Sequence, residues 1–525
     1  MSRRGIVPEF LHGVRLEVLL QARGGFYAVY AAMTVVFLII IALLPPGARA
    51  AGFGLIVLMD PSFMGFFFAG GLVLLEMDQG ILPVIQTHGR GFDGYWRTKV
   101  GAILFLAVTV TGLLLLALWG LGFVQPVWSG ILLLFFGVLL TVPVFYSLGL
   151  CIAGLCPQII NYFVCAGLVT LPFMFPFIEL AGIPVGFFGV LSPVWGGMVL
   201  ITDGVSRFAF GDSGAGLVRS APELAAAAAS LVVWNLAAYR LAEKAFAMLA
   251  AGQAGLRISA RTRGPGKQES RYTKPNASTR LSPAMADIRL MLRDPIAIAL
   301  LCAPLLASFM LGRVIPWLLS PAGPAAVVIP AAVGEGVLRY IDHIRSFALL
   351  LSVVMYGMIG AFLMLDEKDG GVLPFLRTLP GRPGWYLLRR GGFLLLMYAV
   401  MLPFAVLAGD LYHGAPVAFL ASLLLDAVVL PVTFLGISII AANKVQGLAM
   451  AKICNVGILP PLLMIPLSGS WEWTVGIFPT AWGSLLRLQN PGAIPAAAVF
   501  LCGAGYIGLI AVLLYRRACR LSGSS

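Results

Sequence analysis

The sequence predicts an all-α polytopic membrane protein with about 12 transmembrane helices, arranged as two six-helix pseudo-repeats with both termini cytoplasmic. Three observations predict it. First, 60% of the 525 residues are hydrophobic and 11% are charged. The apolar residues fall in repeated runs of about 20, enough to cross a hydrocarbon core of roughly 30 Å. Barrel strands would instead show short alternating segments. Second, a polar stretch occurs twice: Glu76 to Thr87 reads EMDQGILPVIQT and Glu367 to Thr378 reads EKDGGVLPFLRT. Third, Lys and Arg are distributed unevenly among the loops.

The first unit covers 1–251. Its opening, MSRRGIVPEFLHGVRLEV, lacks the long apolar core and small-residue cleavage site of a removable signal. Residues 6–23 place Phe10, Leu11, Val14 and Val18 at helical spacing, with Glu17 and Gln21 intruding on that face. That pattern suits either a helix lying in the membrane interface or an ordinary exposed helix. The expected spans follow at 25–44, 55–75, 97–121, 128–151, 160–180 and 222–244.

Residues 252–283 form a basic linker containing Gly, Ser and Pro, a composition that buries nothing and reads as a flexible cytoplasmic tether. Contact with anionic lipid headgroups is the alternative. The second unit covers 284–525, with spans expected at 295–319, 346–365, 389–409, 416–440, 447–467 and 493–515. The units begin alike, Val14-Arg15-Leu16 corresponding to Ile288-Arg289-Leu290.

With cytoplasmic termini, 28 of the 35 Lys and Arg residues fall in inner segments and 7 outside. Basic residues are retained on the inner side, so both repeated stretches are expected there. The net charge of +13 would suggest nucleic acid in a soluble protein. Here it sits in membrane loops, and no nucleic-acid partner is expected.

Glutamate, aspartate, glycine, leucine, proline and threonine recur at six of the twelve positions of the repeated stretch. Both copies follow an apolar run, and both lead through a tyrosine (Tyr95, Tyr386) and a basic residue (Lys99, Arg390) into the next run. The spacing of 291 residues marks duplicated domains rather than a solenoid. Pro374 is tolerated in a first helical turn, and Pro380 should end that helix. Glu367 and Asp369 lie just before it, where the helix dipole favours negative charge. Gly80, Gly370 and Gly371 permit the tight turn on leaving the span. The result is a short helix along the membrane surface whose apolar residues suit docking into a groove on another protein. Retention in both halves favours such a coupling element over a hairpin that merely reconnects two spans.

This order of features resembles the type-2 ABC transporter permease family. Glu76, Gly80 and Leu82, and again Glu367, Gly371 and Leu373, match the Glu-x-x-x-Gly-x-Leu segment of that family. The resemblance implies that this segment, with Asp78, Pro83, Asp369 and Pro374 beside it, couples to an ATPase subunit. Ser192-Pro193-Val194-Trp195-Gly196 and Phe478-Pro479-Thr480-Ala481-Trp482-Gly483 resemble its external, partly re-entrant segments. Most such permeases carry one six-span unit and dimerise, whereas this chain fuses two. The family implies ATP-driven export across a bacterial cytoplasmic (inner) membrane. The closest approach to a phosphate loop is Gly264-Pro265-Gly266-Lys267-Gln268, which has Gln268 in place of Ser/Thr and Arg261 at the first glycine position. ATP and Mg would therefore be used by a separate ABC ATPase, two copies of it, while this chain binds neither and is not itself an enzyme.

Asp426 lies about ten residues into its span, near the bilayer centre at about 1.5 Å rise per residue. A midplane carboxylate is costly, and Asp426 either lines the translocation path or is a hydrogen-bonded structural residue. Lys452 lies on the next span, and Glu179 near the outer end of its own. The seven cysteines fall mostly within apolar runs and read as packing residues. The four histidines show no metal-ligand spacing. An ion-gradient-driven secondary transporter with two six-span halves is the alternative, though its common Gly-x-x-x-Asp-Arg loop pattern is missing. A membrane-embedded transferase would need clustered acidic residues, which the sequence does not show.

Overall fold

The computed structural model describes residues 6–44, 46–82, 84, 91–156, scattered positions between 162 and 179, 186–208, 219–250, 295–320, 335, 338–369, 383–441, 444–465, 469–488 and 495–523. Every regular element among them is helical. The first half runs α1 (Ile6–Arg23), α2 (Phe26–Leu43), α3 (Pro46–Val57), a π-helical turn (Leu58–Ser62), α4 (Met64–Asp78), α5 (Gly91–Gly120), α6 (Trp128–Leu155), α7 (Pro193–Ser206) and α8 (Ala221–Ala250). The second half runs α9 (Pro295–Phe309), a π-helical turn (Met310–Val314), α10 (Ile315–Leu319), α11 (Ile341–Asp369), α12 (Pro383–Gly409), α13 (Pro416–Ile440), α14 (Lys444–Val456), α15 (Pro460–Leu463), α16 (Ala481–Leu488) and α17 (Ala496–Gly523).

The halves pack alike. In the first, α6 is the central helix and is covered by α4, α7 and α8; in the second, α13 is covered by α11, α16 and α17. Each central helix carries an internal proline, Pro143 or Pro431. Close approach depends on small residues. A Cβ on Gly204 of α7 would lie 2.7 Å from the Leu134 amide nitrogen and 3.0 Å from the Gly130 carbonyl oxygen of α6. Hydroxyls inside these helices bond their own backbone one turn back, Thr141 to Gly137 at 2.7 Å and Thr202 to Met198 at 2.6 Å. No water is needed to satisfy them.

Among the described residues eight helices are long and apolar enough to cross a membrane, or nine if the bent pair α1–α2 counts as one span. Twelve were expected, and the three others have different fates. The stretch 55–75 is interrupted by the π-helical turn holding Asp60 and Pro61. The stretch 447–467 is split between α14 and α15. Residues 160–180 lie largely outside the described residues, as does the linker 252–283.

Helix α1 meets α2 at 67°, with Gly25 at φ 78° in the corner. The two polar residues that interrupt its apolar pattern turn toward the protein: Gln21 is buried, and Glu17 pairs with Lys99 of α5 at 2.8 Å. Leu11, Leu16, Leu19 and Leu20 face outward.

The two largest hydrophobic cores follow the halves, and they meet along a seam. Val456 of α14 is buried within the first-half core, and Ile40, Met450, Leu459 and Phe478 touch both.

Candidate functional site

The repeated stretch builds the same three-residue node in each half. Glu76 ends the polar turn of α4, where Tyr95 donates its hydroxyl to Oε2 at 2.7 Å and Lys99 pairs with Oε1. Glu367 occupies the same place on α11, receiving the Tyr386 hydroxyl and the Arg390 guanidinium. Tyrosine lies 19 residues and the cation 23 residues after the glutamate in both halves. One turn of α5 or α12 separates tyrosine from cation, so both reach one carboxylate from the same helix face. Lys99 is buried and also holds Glu17, which ties α1 into the first node. Phe246 of α8 stacks on Tyr95 at 4.9 Å.

Beyond Glu76 the chain turns at Gly80, φ 69°. Leu82 is buried, while Ile81 and Val84 are exposed. The buried leucine anchors the tip and leaves two apolar side chains exposed on it. The side chain of Asp78 and all of Pro83 lie outside the described residues. So do the Asp369 side chain and Gly371, Leu373 and Pro374 of the second copy, beyond the end of α11.

Asp426 is wholly buried in a network of the second half. Arg487 of α16, also wholly buried, reaches its Oδ2 at 2.5 Å and donates to Ser422 at 2.9 Å and Ser346 at 3.0 Å. Gly483 makes room for this carboxylate, since a Cβ there would meet Oδ1 at 2.0 Å. The corresponding turn of α7, Val199 to Ile201, is apolar, so the pair has no first-half counterpart. His413 extends the network. Its Nδ1 lies 2.7 Å from the Leu411 carbonyl, which only accepts, so Nδ1 carries the proton. Nε2 then accepts from Ser346 at 3.2 Å. Desolvation on burial holds this imidazole below its ordinary value.

Lys452 does not reach Asp426. Its ammonium lies 2.6 Å from Oδ1 of Asp60, in the π-helical turn of the other half, and also bonds the Tyr30 hydroxyl. Asp60 was absent from the sequence-based candidates. The available signal was a lone carboxylate in the run 51–75 and a lone cation in a run of the other half.

The two tryptophan-containing segments differ in detail. Ser192 caps α7 through the Val194 amide at 3.1 Å, with Pro193 in the first turn. Trp195 is buried and donates to Glu179 at 3.2 Å; Glu179 pairs with Arg219 at 3.0 Å. Trp482, three residues past Pro479, donates to the Gly476 carbonyl at 3.0 Å and packs against Gly503. The thiols of Cys156 and Cys165 approach to 3.0 Å. Among the described residues no three His, Cys, Asp or Glu side chains gather as a metal site requires.

Comparison with known proteins bears on the second half. Residues 287–515 match the family model described as "Fluoroquinolones export permease protein Rv2686c-like". Two proteins of Mycobacterium tuberculosis, the fluoroquinolones export permease proteins MT2760 (strain CDC 1551 / Oshkosh) and Rv2686c (strain ATCC 25618 / H37Rv), are each 26% identical over 201 residues. That overlap is 77% of each relative but 38% of this chain, so each relative is about half as long as this chain. An integral membrane chain whose second half, residues 287–515, matches a fluoroquinolone export permease family model is what the fold and the comparisons jointly identify.

Proposed function

We propose that this chain is the membrane subunit of an ATP-binding cassette exporter that carries both permease units in one polypeptide. The observation that carries this reading is the duplicated node. A glutamate at the end of one span is clamped by a tyrosine and a cation of the next, at identical spacing in both halves. A force applied to the tip beyond Gly80 passes through Glu76 directly into α5. That rigid connection is what a coupling element needs. The half-length relatives support the fused arrangement.

In this reading both termini and both tips face the cytoplasm, as the distribution of Lys and Arg favours. Two ATPase subunits dock, one per tip, and hydrolyse ATP with Mg. The tryptophan segments at Pro193–Trp195 and Pro479–Trp482 lie toward the opposite surface of a bacterial inner membrane. An ion-gradient mechanism loses its first candidate, because Asp426 is committed to Arg487. The relatives' names make a fluoroquinolone the first solute to test.

The test is co-expression with an ABC ATPase, followed by purification of the complex and its reconstitution into vesicles. The expected result is two ATPase copies per chain, with export that stops when the ATPase cannot hydrolyse ATP. Replacing Ile81 and Val84 with Asp should release the ATPase while the chain stays folded. Undiminished transport without any ATPase overturns the reading.

A further inference from the structure

The seam between the halves contains a charged site that the coupling nodes do not use. Asp60 sits in the π-helical turn between α3 and α4, and Lys452 sits on α14. Such turns leave backbone and side chains in irregular positions and recur at functional sites. The pair joins the two units across 392 residues of sequence. Tyr30 of α2 completes it, with the Lys452 ammonium 4.5 Å from the ring centroid.

Two features set this pair apart from the Asp426–Arg487 pair. The Asp426 and Arg487 side chains are 0% exposed and lie within one half. Those of Asp60 and Lys452 are 16% and 20% exposed and lie on opposite halves. Like Oδ1 of Asp426, Oδ2 of Asp60 is buried without a hydrogen-bond partner. A carboxylate with one oxygen committed to lysine and the other unsatisfied has capacity for a further donor.

We propose that Asp60 and Lys452 form the binding site for a zwitterionic solute. Its carboxylate binds Lys452 and its ammonium binds Asp60, so that the ligand takes the place of the direct bond between the halves. Charge balance selects this class. A ligand bearing only an anion would leave Asp60 uncompensated, and one bearing only a cation would leave Lys452 so; an unpaired charge in such a site is strongly unfavourable. A ligand carrying both charges exchanges one ion pair for two. The Tyr30 ring beside the ammonium adds an apolar and cation-attracting surface. Because the ligand separates residues of opposite halves, its arrival loosens the seam. That is the change an exporter needs before its halves rearrange. The inference rests on the transport reading above, but binding can be measured without any ATPase.

The experiment uses the full chain in phosphatidylglycerol nanodiscs, without an ATPase. The probe is a fluoroquinolone with a free carboxylate and a basic amine, followed by its own fluorescence. Its methyl ester keeps only the amine, and its N-acetyl derivative keeps only the carboxylate. The zwitterion should bind at least tenfold more tightly than either derivative. Asp60→Asn should weaken the zwitterion and the ester, and Lys452→Gln the zwitterion and the N-acetyl derivative, each about tenfold or more. The exchange Asp60→Lys with Lys452→Asp should restore zwitterion binding, which guards against loss through misfolding. Equal binding of all three probes, no saturable binding, or wild-type affinity in the doubly neutral Asp60→Asn, Lys452→Gln chain overturns the proposal. ATPase recruitment at the tips is read separately and can succeed or fail independently.

Discussion

Lys99 holds two carboxylates at once, Glu17 at 2.8 Å and Glu76 on its other side, with its own side chain only 6% exposed. One cation thereby joins the N-terminal helix α1, the end of α4 and helix α5. In the second half the corresponding cation is Arg390, on Glu367.

Removal of Lys99 should therefore cost more than one ion pair. Lys99→Met leaves Glu76 and Glu17 facing each other with no cation between them. A buried charge stripped of its partner costs about 3–5 kcal/mol. Adding Glu17→Gln to Lys99→Met should recover part of that loss, and the double-mutant cycle in detergent-solubilised thermal unfolding measures the coupling. Strict additivity of the two substitutions would show that the three groups do not act as one node.

The second buried pair should be structural. Arg487→Leu leaves Asp426 alone in an apolar interior, with an expected loss of about 3–5 kcal/mol. Replacing both residues with apolar ones of similar size should restore most of the stability. If Asp426 lined the path, the doubly replaced chain would fold but fail to transport. If it is structural, transport survives, and that is the expected outcome of the vesicle assay.

The repetition of Glu76 and Glu367, and the tyrosine and cation downstream of each, were legible because a node built within one helical hairpin leaves its residues at fixed sequence spacing. The long apolar helices were legible because composition alone decides them. The partner of Asp426 was not, since Arg487 is 61 residues away and reads, by charge, as an external loop cation. The Asp60–Lys452 pair was hidden for a stronger reason: its members belong to different units, and a periodicity search finds only what the units share. The π-helical turn was likewise invisible, because the stretch 55–75, with Asp60 its one charged residue, reads as one continuous span.

Helix contact in the first half should be intolerant of a side chain at Gly204. The nearest atoms to a new Cβ there are backbone atoms of α6, at 2.7 and 3.0 Å, and backbone cannot rotate away. Gly204→Val should lose about 1–3 kcal/mol by overpacking. Gly505→Ala is the control: it meets no atom within 4 Å in α17 and should be neutral or gain up to about 1 kcal/mol from helix propensity. Thermal unfolding of both variants reads the difference.

The network at His413 predicts how stability depends on pH. Neutral His413 accepts from Ser346, and its protonation would turn that acceptor into a donor close to Arg487 and Arg345, with Asp342 the opposing carboxylate. Burial holds the folded imidazole below its ordinary value of 6.5. The unfolded chain therefore binds the proton first as pH falls, and unfolding is favoured by acid. Stability should be complete above about pH 6.5 and decline below it, by at most about 1.4 kcal/mol per pH unit, until the folded state also protonates. A melting series from pH 7.5 to 5 checks the slope. His413→Gln keeps an acceptor beside Ser346 but cannot take up the proton, so its profile should be flatter over that range whatever its absolute stability. An unchanged slope in His413→Gln would assign the acid sensitivity to another group.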